Sequence, residues 1–170
     1  YQLMSEPREY IGIPSFCREW NDAVGGGFRP GLDLRSARRK QGKSSLAIND
    51  IKYICGKDLR IPVLYLDKEM PLEAGQLRMT SSLAHVSIGK IEKGMIEPGS
   101  RDHSNIIKSL NEYEGMPVYY ANVAMTPFDE MLSLIRRWLM RTVGYAEDGS
   151  INPSLIIYDY VKLSDGNDIK

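Results

Sequence analysis

The segment that most constrains this chain lies at residues 37–44, where basic residues lead into a glycine, a lysine and a serine. It reads Ala37, Arg38, Arg39, Lys40, Gln41, Gly42, Lys43 and Ser44. That spacing is the phosphate-loop pattern, with Ala37 at the position of the leading glycine. In such a loop a strand turns sharply into a helix, so that backbone N–H groups and the helix N-terminus point at phosphates. The segment therefore predicts a nucleotide site between a strand and a helix.

The last three residues of this loop would carry its chemistry. Gly42 permits close approach of the backbone to a phosphate, Lys43 neutralises the β- and γ-phosphates, and the Ser44 hydroxyl ligates Mg²⁺. The competing interpretation is a lysine-rich surface loop. The context favours a nucleotide site, because a candidate strand precedes the loop and an amphipathic helix follows it.

Helical and extended patterns alternate along the chain, which predicts an α/β domain with a mainly parallel sheet. The expected strands are Leu32–Ser36, Pro62–Leu66, Val118–Ala121 and Leu155–Tyr158. The expected helices are Lys43–Cys55, Pro71 to about Ala84, Arg101–Tyr113, and one that begins at a Thr126-Pro127 capping box. Leu32–Ser36 departs from the near-continuous apolar run of a central parallel strand, since it contains Asp33 and Arg35.

Carboxylates follow two of the expected strands. Asp159 ends the apolar run Leu155–Tyr158, which is the arrangement of a Walker B strand that presents a metal-binding acid beside a phosphate loop. After the strand Pro62–Leu66, either Asp67 or Glu69 could reach the nucleotide, because residues i and i+2 share a face. Position along the chain does not choose between these two acids.

The overall composition limits the remaining function classes. Lys plus Arg and Asp plus Glu both number 22, so any DNA contact must come from a local patch or from the inside of an assembled ring. Cys17 and Cys55 lack metal-ligand spacing and are expected to be reduced thiols. The sequence contains no signal peptide or long apolar span, which predicts a cytosolic protein that does not cross a membrane.

From Val63 onward the chain resembles the DnaB-like replicative helicases. The matching pieces are Glu69-Met70 with Arg78, Ser81-Ser82, Ala84 and Val86, then Lys90-Ile91 with Gly94, Pro117–Tyr120, the helix Pro127–Arg137, and Asp159-Tyr160 with Leu163. Upstream, Gly12-Ile13-Pro14, Gly25-Gly26 and Pro30-Gly31 are similar to the family's lead-in to its phosphate loop. Each piece alone is unspecific, but their order and spacing together are specific.

The resemblance implies a RecA-like P-loop NTPase core, an α/β three-layer sandwich whose mainly parallel sheet is incomplete at Lys170. Residues 1–29 would form a lead-in segment and residues 30–170 the ATPase domain. The resemblance also implies that Glu69, rather than Asp67, is the water-activating carboxylate. Asp159 would hold Mg²⁺ through water, and the segment Ala37–Ser45 would cradle ATP. Ala37 fits, because this family often lacks the leading glycine.

Members of this family form hexameric rings that move along single-stranded DNA, with ATP between subunits and an arginine finger from the neighbour. For this chain the resemblance implies an ATP-dependent DNA helicase motor in a bacterial or phage-infected cytosol, with a primase or a loader as candidate partners. Two alternatives stay open. One is a RecA- or KaiC-like regulatory or recombination ATPase, in which nucleotide controls assembly without unwinding. The other is a nucleotide-binding subunit without turnover.

Overall fold

The sheet of this protein brings three polar side chains to one edge. A computed structural model describes residues 11–38 and 40–160. Its parallel strands, in the order β2-β1-β3, are β1 Val63–Asp67, β2 Val118–Asn122 and β3 Leu155–Asp159. The register places Asp67 beside Asn122 on one side and beside Asp159 on the other. The three predicted strands that form this sheet are confirmed, each to within one residue at either end.

Helices connect these strands and cover both faces of the sheet. They are α1 Arg18–Ala23, α2 Lys43–Ile54, α3 Leu72–Ala84, α4 Ile88–Glu92, α5 Arg101–Glu114 and α6 Phe128–Trp138, which continues as a π-helical turn, Leu139–Val143. The predicted helices correspond to α2, α3, α5 and α6. The short helices α1 and α4 were not predicted, because five or six residues are too few to display an apolar repeat. In the part of the chain that the structure describes, none of the helices has the length and apolar character needed to cross a bilayer.

The core lies on both sides of β1, whose five residues are all buried. Val63 and Tyr65 face a cluster with residues of α2, α3 and α5, whereas Leu64 and Leu66 face a cluster with residues of α6 and the π-helical turn. A strand buried on both faces has to be apolar at successive positions, as this one is. The predicted three-layer arrangement of helices, sheet and helices is therefore confirmed.

The predicted first strand, Leu32–Ser36, was wrong. This segment has no strand structure, and the side chains of Leu32 and Leu34 are 94% and 76% exposed. The polar residues between them explain the difference. Arg35 Nη1 donates to Asp50 Oδ2 of α2 at 2.6 Å, and its guanidinium lies over the rings of Trp20 and Phe28 at 4.0 and 4.5 Å. The guanidinium is thus paired with a carboxylate of α2, whereas a central parallel strand would place Arg35 in an apolar layer without this partner.

The predicted capping box at Thr126 was also wrong. The N-cap of α6 is Pro127, with φ −57° and ψ 150°, and no side chain caps the helix. The extended ψ of Pro127 delays the first helical residue to Phe128, so Thr126 lies one residue too early to act as the cap. The apolar stripe Phe128, Met131, Leu132, Ile135 and Leu139, expected from helical spacing, is confirmed in part. Met131, Ile135 and Leu139 pack against the sheet together with Leu134, whereas Phe128 is 66% exposed.

The segment before the phosphate loop is attached to α2 by a buried polar cluster. Asp50, on α2, is 2% exposed, and its Oδ1 accepts hydrogen bonds from Ser15 Oγ at 2.5 Å and Phe16 N at 3.3 Å. Its Oδ2 accepts from Arg35 as described above. Asn21 closes the same region, because its side chain exchanges two hydrogen bonds with the backbone of Ser15. The Asp50 carboxylate thus joins the segments before the phosphate loop to the helix that follows it.

We predict that Asp50→Ala lowers the free energy of unfolding by about 3 kcal/mol or more, since it leaves a largely buried guanidinium and a buried hydroxyl without their acceptor. Urea denaturation followed by circular dichroism measures this loss. The matched control is Asp58→Ala at an exposed position, which should change stability by less than about 0.5 kcal/mol. Equal stability of the two variants would contradict the structural role assigned to Asp50.

Candidate functional site

At its C-terminal end, the phosphate loop has the backbone geometry that its sequence predicts. Gly42 is the N-cap of α2 and has a left-handed conformation, with φ 85° and ψ 17°, which favours glycine. The helix starts at Lys43, so the amides of its first turn have no partners within the helix and are available to an anion. Lys40, two residues before Gly42, also has a left-handed conformation, with φ 62°.

Asp159, at the end of β3, is the centre of the hydrogen-bonding network beside this loop. Its Oδ1 lies 2.5 Å from Lys43 Nζ, and its Oδ2 accepts hydrogen bonds from Ser44 Oγ and Tyr65 Oη, both at 2.8 Å. The ammonium of Lys43 also lies 4.3 Å from the centre of the Tyr160 ring. The two loop residues predicted to bind phosphate and metal therefore contact the acid predicted to hold the metal.

These donors determine the charge state of Asp159. Burial by itself would raise the pKa of this carboxyl, but the hydrogen bonds from Lys43, Ser44 and Tyr65 and the charge of Lys43 outweigh it, and the pKa lies below its usual range. The carboxylate is consequently ionised at neutral pH. In the described structure the positive charge of Lys43 is balanced by Asp159, and an incoming triphosphate would have to compete for it.

Asp67 and Glu69 have different environments at the end of β1. Asp67 is 1% exposed, and its Oδ1 accepts hydrogen bonds from the backbone N–H groups of Glu69 and Met70 at 2.7 and 2.8 Å. Glu69 itself is exposed. The carbonyl of Met70 in turn accepts from Tyr120 Oη at 2.8 Å and from Asn122 Nδ2 at 2.5 Å. Asp67 thus fixes the turn after β1, and this turn presents the exposed side chain of Glu69.

The loop, the acids and α3 enclose a cavity of about 780 Å³. The predicted site residues that line it are Ala37, Arg38, Lys40, Gly42, Lys43, Ser44, Ser45, Glu69 and Asp159. Gln41 is not among the lining residues, and its N–H donates to the carbonyl of Arg38 at 3.2 Å. Arg39 lies outside the described residues. Most of the predicted site therefore surrounds one cavity.

Sequence reasoning missed the contribution of α3 to this cavity. Arg78, Ser81 and Ser82 of α3 line it together with the residues of the phosphate loop. Their spacing of three and four residues, which places them on one face of a helix, was the available signal. These side chains give the cavity a polar second wall with a cationic residue.

The donors at this site are compatible with Mg²⁺. They are hydroxyl and carboxylate oxygens, which this cation prefers, and Ser44 Oγ and Asp159 Oδ2 already lie 2.8 Å apart. Asp67 Oδ2, on the neighbouring strand, is buried with no hydrogen-bond partner among the described residues. Residues 11–38 and 40–160 contain no group of three His, Cys, Asp or Glu residues that could enclose a metal. A few protein oxygens plus phosphate and water ligands are the usual arrangement for Mg²⁺.

The arrangement of loop, acids and sheet agrees with a family relationship detected in the sequence. The sequence profile of the family described as DnaB-like helicase C terminal domain matches residues 12–169. The chain belongs to the DnaB-like helicase C-terminal domain family. No curated protein sequence gives a significant match to this chain.

Solved structures support the same fold. A DnaB-like replicative helicase, described together with its interactions with primase, superposes with a TM-score of 0.81 at 19% identity. A second solved structure, described as an ATPase domain, superposes with a TM-score of 0.82, also at 19% identity. Each alignment covers 98% of this chain but only 39% and 57% of the respective structures, so the chain spans only part of the length of each. The predicted RecA-like α/β fold class is confirmed.

We predict that Asp159→Asn separates the two roles of this carboxylate. With Mg²⁺ chelated, the variant should bind a fluorescent ATP analogue at least as tightly as the parent chain, because Lys43 is released from its ion pair. Adding Mg²⁺ should increase the affinity of the parent chain for the analogue. In the variant this increase should be smaller by about tenfold or more. Asp148→Asn, in an exposed loop, is the matched control. An unchanged effect of Mg²⁺ in Asp159→Asn would contradict the assignment of this acid.

Proposed function

We propose that this chain is the ATP-hydrolysing motor domain of a hexameric replicative DNA helicase. The domain would couple ATP hydrolysis to translocation on single-stranded DNA and to unwinding of the duplex. One observation supports the proposal most strongly. Lys43 and Ser44 of the phosphate loop contact Asp159 at 2.5 and 2.8 Å, and Glu69 lines the same cavity. Membership in the DnaB-like helicase C-terminal domain family supports the choice of a helicase over other phosphate-loop proteins.

The chemistry assigns one task to each of these groups. Ser44 and Asp159 would hold Mg²⁺, which when bound would supply positive charge beside the β- and γ-phosphates. Lys43 would move from Asp159 to the phosphates. Glu69 accepts a hydrogen bond from the attacking water and orients it. The turn that carries Glu69 is held by hydrogen bonds at both Asp67 and Met70, so the glutamate is presented from a fixed backbone.

The exposure of the phosphate loop supports a site completed by a second subunit. Arg38, Lys40 and Gly42 are all exposed, although phosphoryl transfer requires an environment protected from water. In the proposed ring a neighbouring copy covers this opening and supplies an arginine finger to the nucleotide. Single-stranded DNA is bound on the inside of the ring, and a primase or a loader binds the assembled particle.

We predict distinct effects of two substitutions on the full-length, assembled protein. Lys43→Ala should abolish nucleotide binding or turnover, because it removes the cation that compensates the phosphates. Glu69→Gln should retain ATP binding but lower kcat by about a hundredfold or more, because the amide cannot act as a base toward water. Equilibrium binding of a fluorescent ATP analogue and steady-state phosphate release measure the two effects.

Lys93→Ala and Glu73→Gln, both at exposed positions, are the matched controls and should behave as the parent protein. A Glu69→Gln variant that hydrolyses ATP at the parent rate would show that Glu69 is not the water-activating carboxylate. Undiminished nucleotide binding and turnover by Lys43→Ala would refute the phosphate site itself.

We further predict that single-stranded DNA stimulates ATP hydrolysis and that the assembled protein separates a forked duplex in the presence of ATP. A RecA- or KaiC-like regulatory ATPase would use the same nucleotide site without separating strands. Strand displacement from a labelled fork, measured with parent protein and Glu69→Gln, distinguishes the two functions. ATP hydrolysis without any displacement would favour the regulatory ATPase.

A further inference from the structure

The hydroxyl of Tyr65 occupies an unusual position for a polar group. Tyr65 lies in the middle of β1, the central strand, and is 3% exposed. Its ring is part of the apolar cluster formed with α2 and α3. The hydroxyl extends beyond that cluster and donates a hydrogen bond of 2.8 Å to Asp159 Oδ2. A phenylalanine would fill the same apolar space, so packing alone does not require the oxygen.

The Tyr65 hydroxyl is the donor in this contact, because an ionised carboxylate offers only acceptor oxygens. Burial, followed by the charge and the hydrogen bond of Asp159, raises the pKa of Tyr65 well above its usual range. By donating a hydrogen bond to Asp159, the buried hydroxyl restricts the orientation of this carboxylate.

Nucleotide binding would change the other two donors to Asp159. Lys43 and Ser44 supply the remaining hydrogen bonds, and the proposed function directs both toward phosphate and metal. Tyr65 has no such second role, because its hydroxyl is buried under the sheet edge. It would remain as the donor that holds the carboxylate when Lys43 and Ser44 have turned to the nucleotide.

We propose that Tyr65 is a positioning residue for the metal-binding carboxylate: its hydroxyl holds Asp159 Oδ2 and so keeps the carboxylate beside Ser44, where the metal would bind. This inference rests on the proposed function, because it concerns the magnesium site of the same nucleotide pocket. Hydrogen bonds to a ligating carboxylate commonly change metal affinity by about tenfold to a hundredfold.

Tyr120 provides a contrasting case on the neighbouring strand. It is the register partner of Tyr65, and the two rings meet edge to face with centroids 5.5 Å apart. Its hydroxyl, however, donates to the carbonyl of Met70 at 2.8 Å, within the turn that presents Glu69. The two hydroxyls thus serve different ends of the site: Tyr65 the metal acid and Tyr120 the turn of the water-orienting acid.

The test compares Tyr65→Phe with Tyr120→Phe in the full-length, assembled protein. Mn²⁺ binding in the presence of ADP, followed by electron paramagnetic resonance, reports the metal site without turnover. Tyr65→Phe should weaken Mn²⁺ binding and raise the Mg²⁺ concentration for half-maximal ATPase activity by about tenfold, with kcat at saturating Mg²⁺ within about twofold of the parent. Nucleotide affinity with the metal chelated should not change. Tyr120→Phe should leave Mn²⁺ binding unchanged.

Tyr119→Phe serves as the matched control, since the ring of Tyr119 lies on the opposite face of the sheet against Trp138. It should match the parent protein in every assay. Parent-like Mn²⁺ and Mg²⁺ dependence in Tyr65→Phe would overturn the inference while leaving the proposed function intact. A lower kcat of Tyr65→Phe that excess Mg²⁺ does not restore would also overturn it, because it indicates a general structural role. An absence of metal-dependent nucleotide binding in the parent protein would instead refute the proposed function.

Discussion

The ion pair between Lys43 and Asp159 joins the two halves of the site. Lys43 begins α2 and Asp159 ends β3, so the 2.5 Å contact links residues more than a hundred positions apart in the sequence. It can form only because β3 pairs in register with β1 and α2 packs on the same sheet. In the described state, loop and acid neutralise each other. A triphosphate with its metal would replace that pair, with phosphates facing Lys43 and the cation facing Asp159.

Other polar contacts fix the backbone segments around this ion pair. Asp50 ties the segments before the phosphate loop to α2, and Asp67 ties the turn that carries Glu69 to the end of β1. Both acids are almost completely buried, whereas Glu69 is exposed. Asp50 and Asp67 therefore stabilise the backbone around the site, whereas Glu69 is accessible and Asp159, although only 8% exposed, contacts Lys43 and Ser44 of the phosphate loop. This division of roles explains how acids close together in sequence can serve different functions.

Much of the fold and of the site could be predicted from the sequence. The apolar runs of β1 and β3 and the spacing from Gly42 to Ser44 specify local structure directly, and the structure places Lys43, Ser44 and Asp159 in contact. Leu32–Ser36 was mispredicted because its expected strand depended on position before the loop, whereas Arg35 forms its contacts with α2 and two aromatic rings. The roles of Tyr65 and of the α3 face depend on tertiary contacts between strands and helices, which no local pattern contains.

The most direct measurement is a crystal structure of the protein with Mg²⁺ and a non-hydrolysable ATP analogue. We predict that Lys43 Nζ leaves Asp159 and contacts the β- and γ-phosphates, with Mg²⁺ bound at Ser44 and, through water, at Asp159. The γ-phosphate should face Glu69 across the cavity. A bound nucleotide elsewhere on the domain, with the Lys43–Asp159 ion pair still closed, would contradict the central claim.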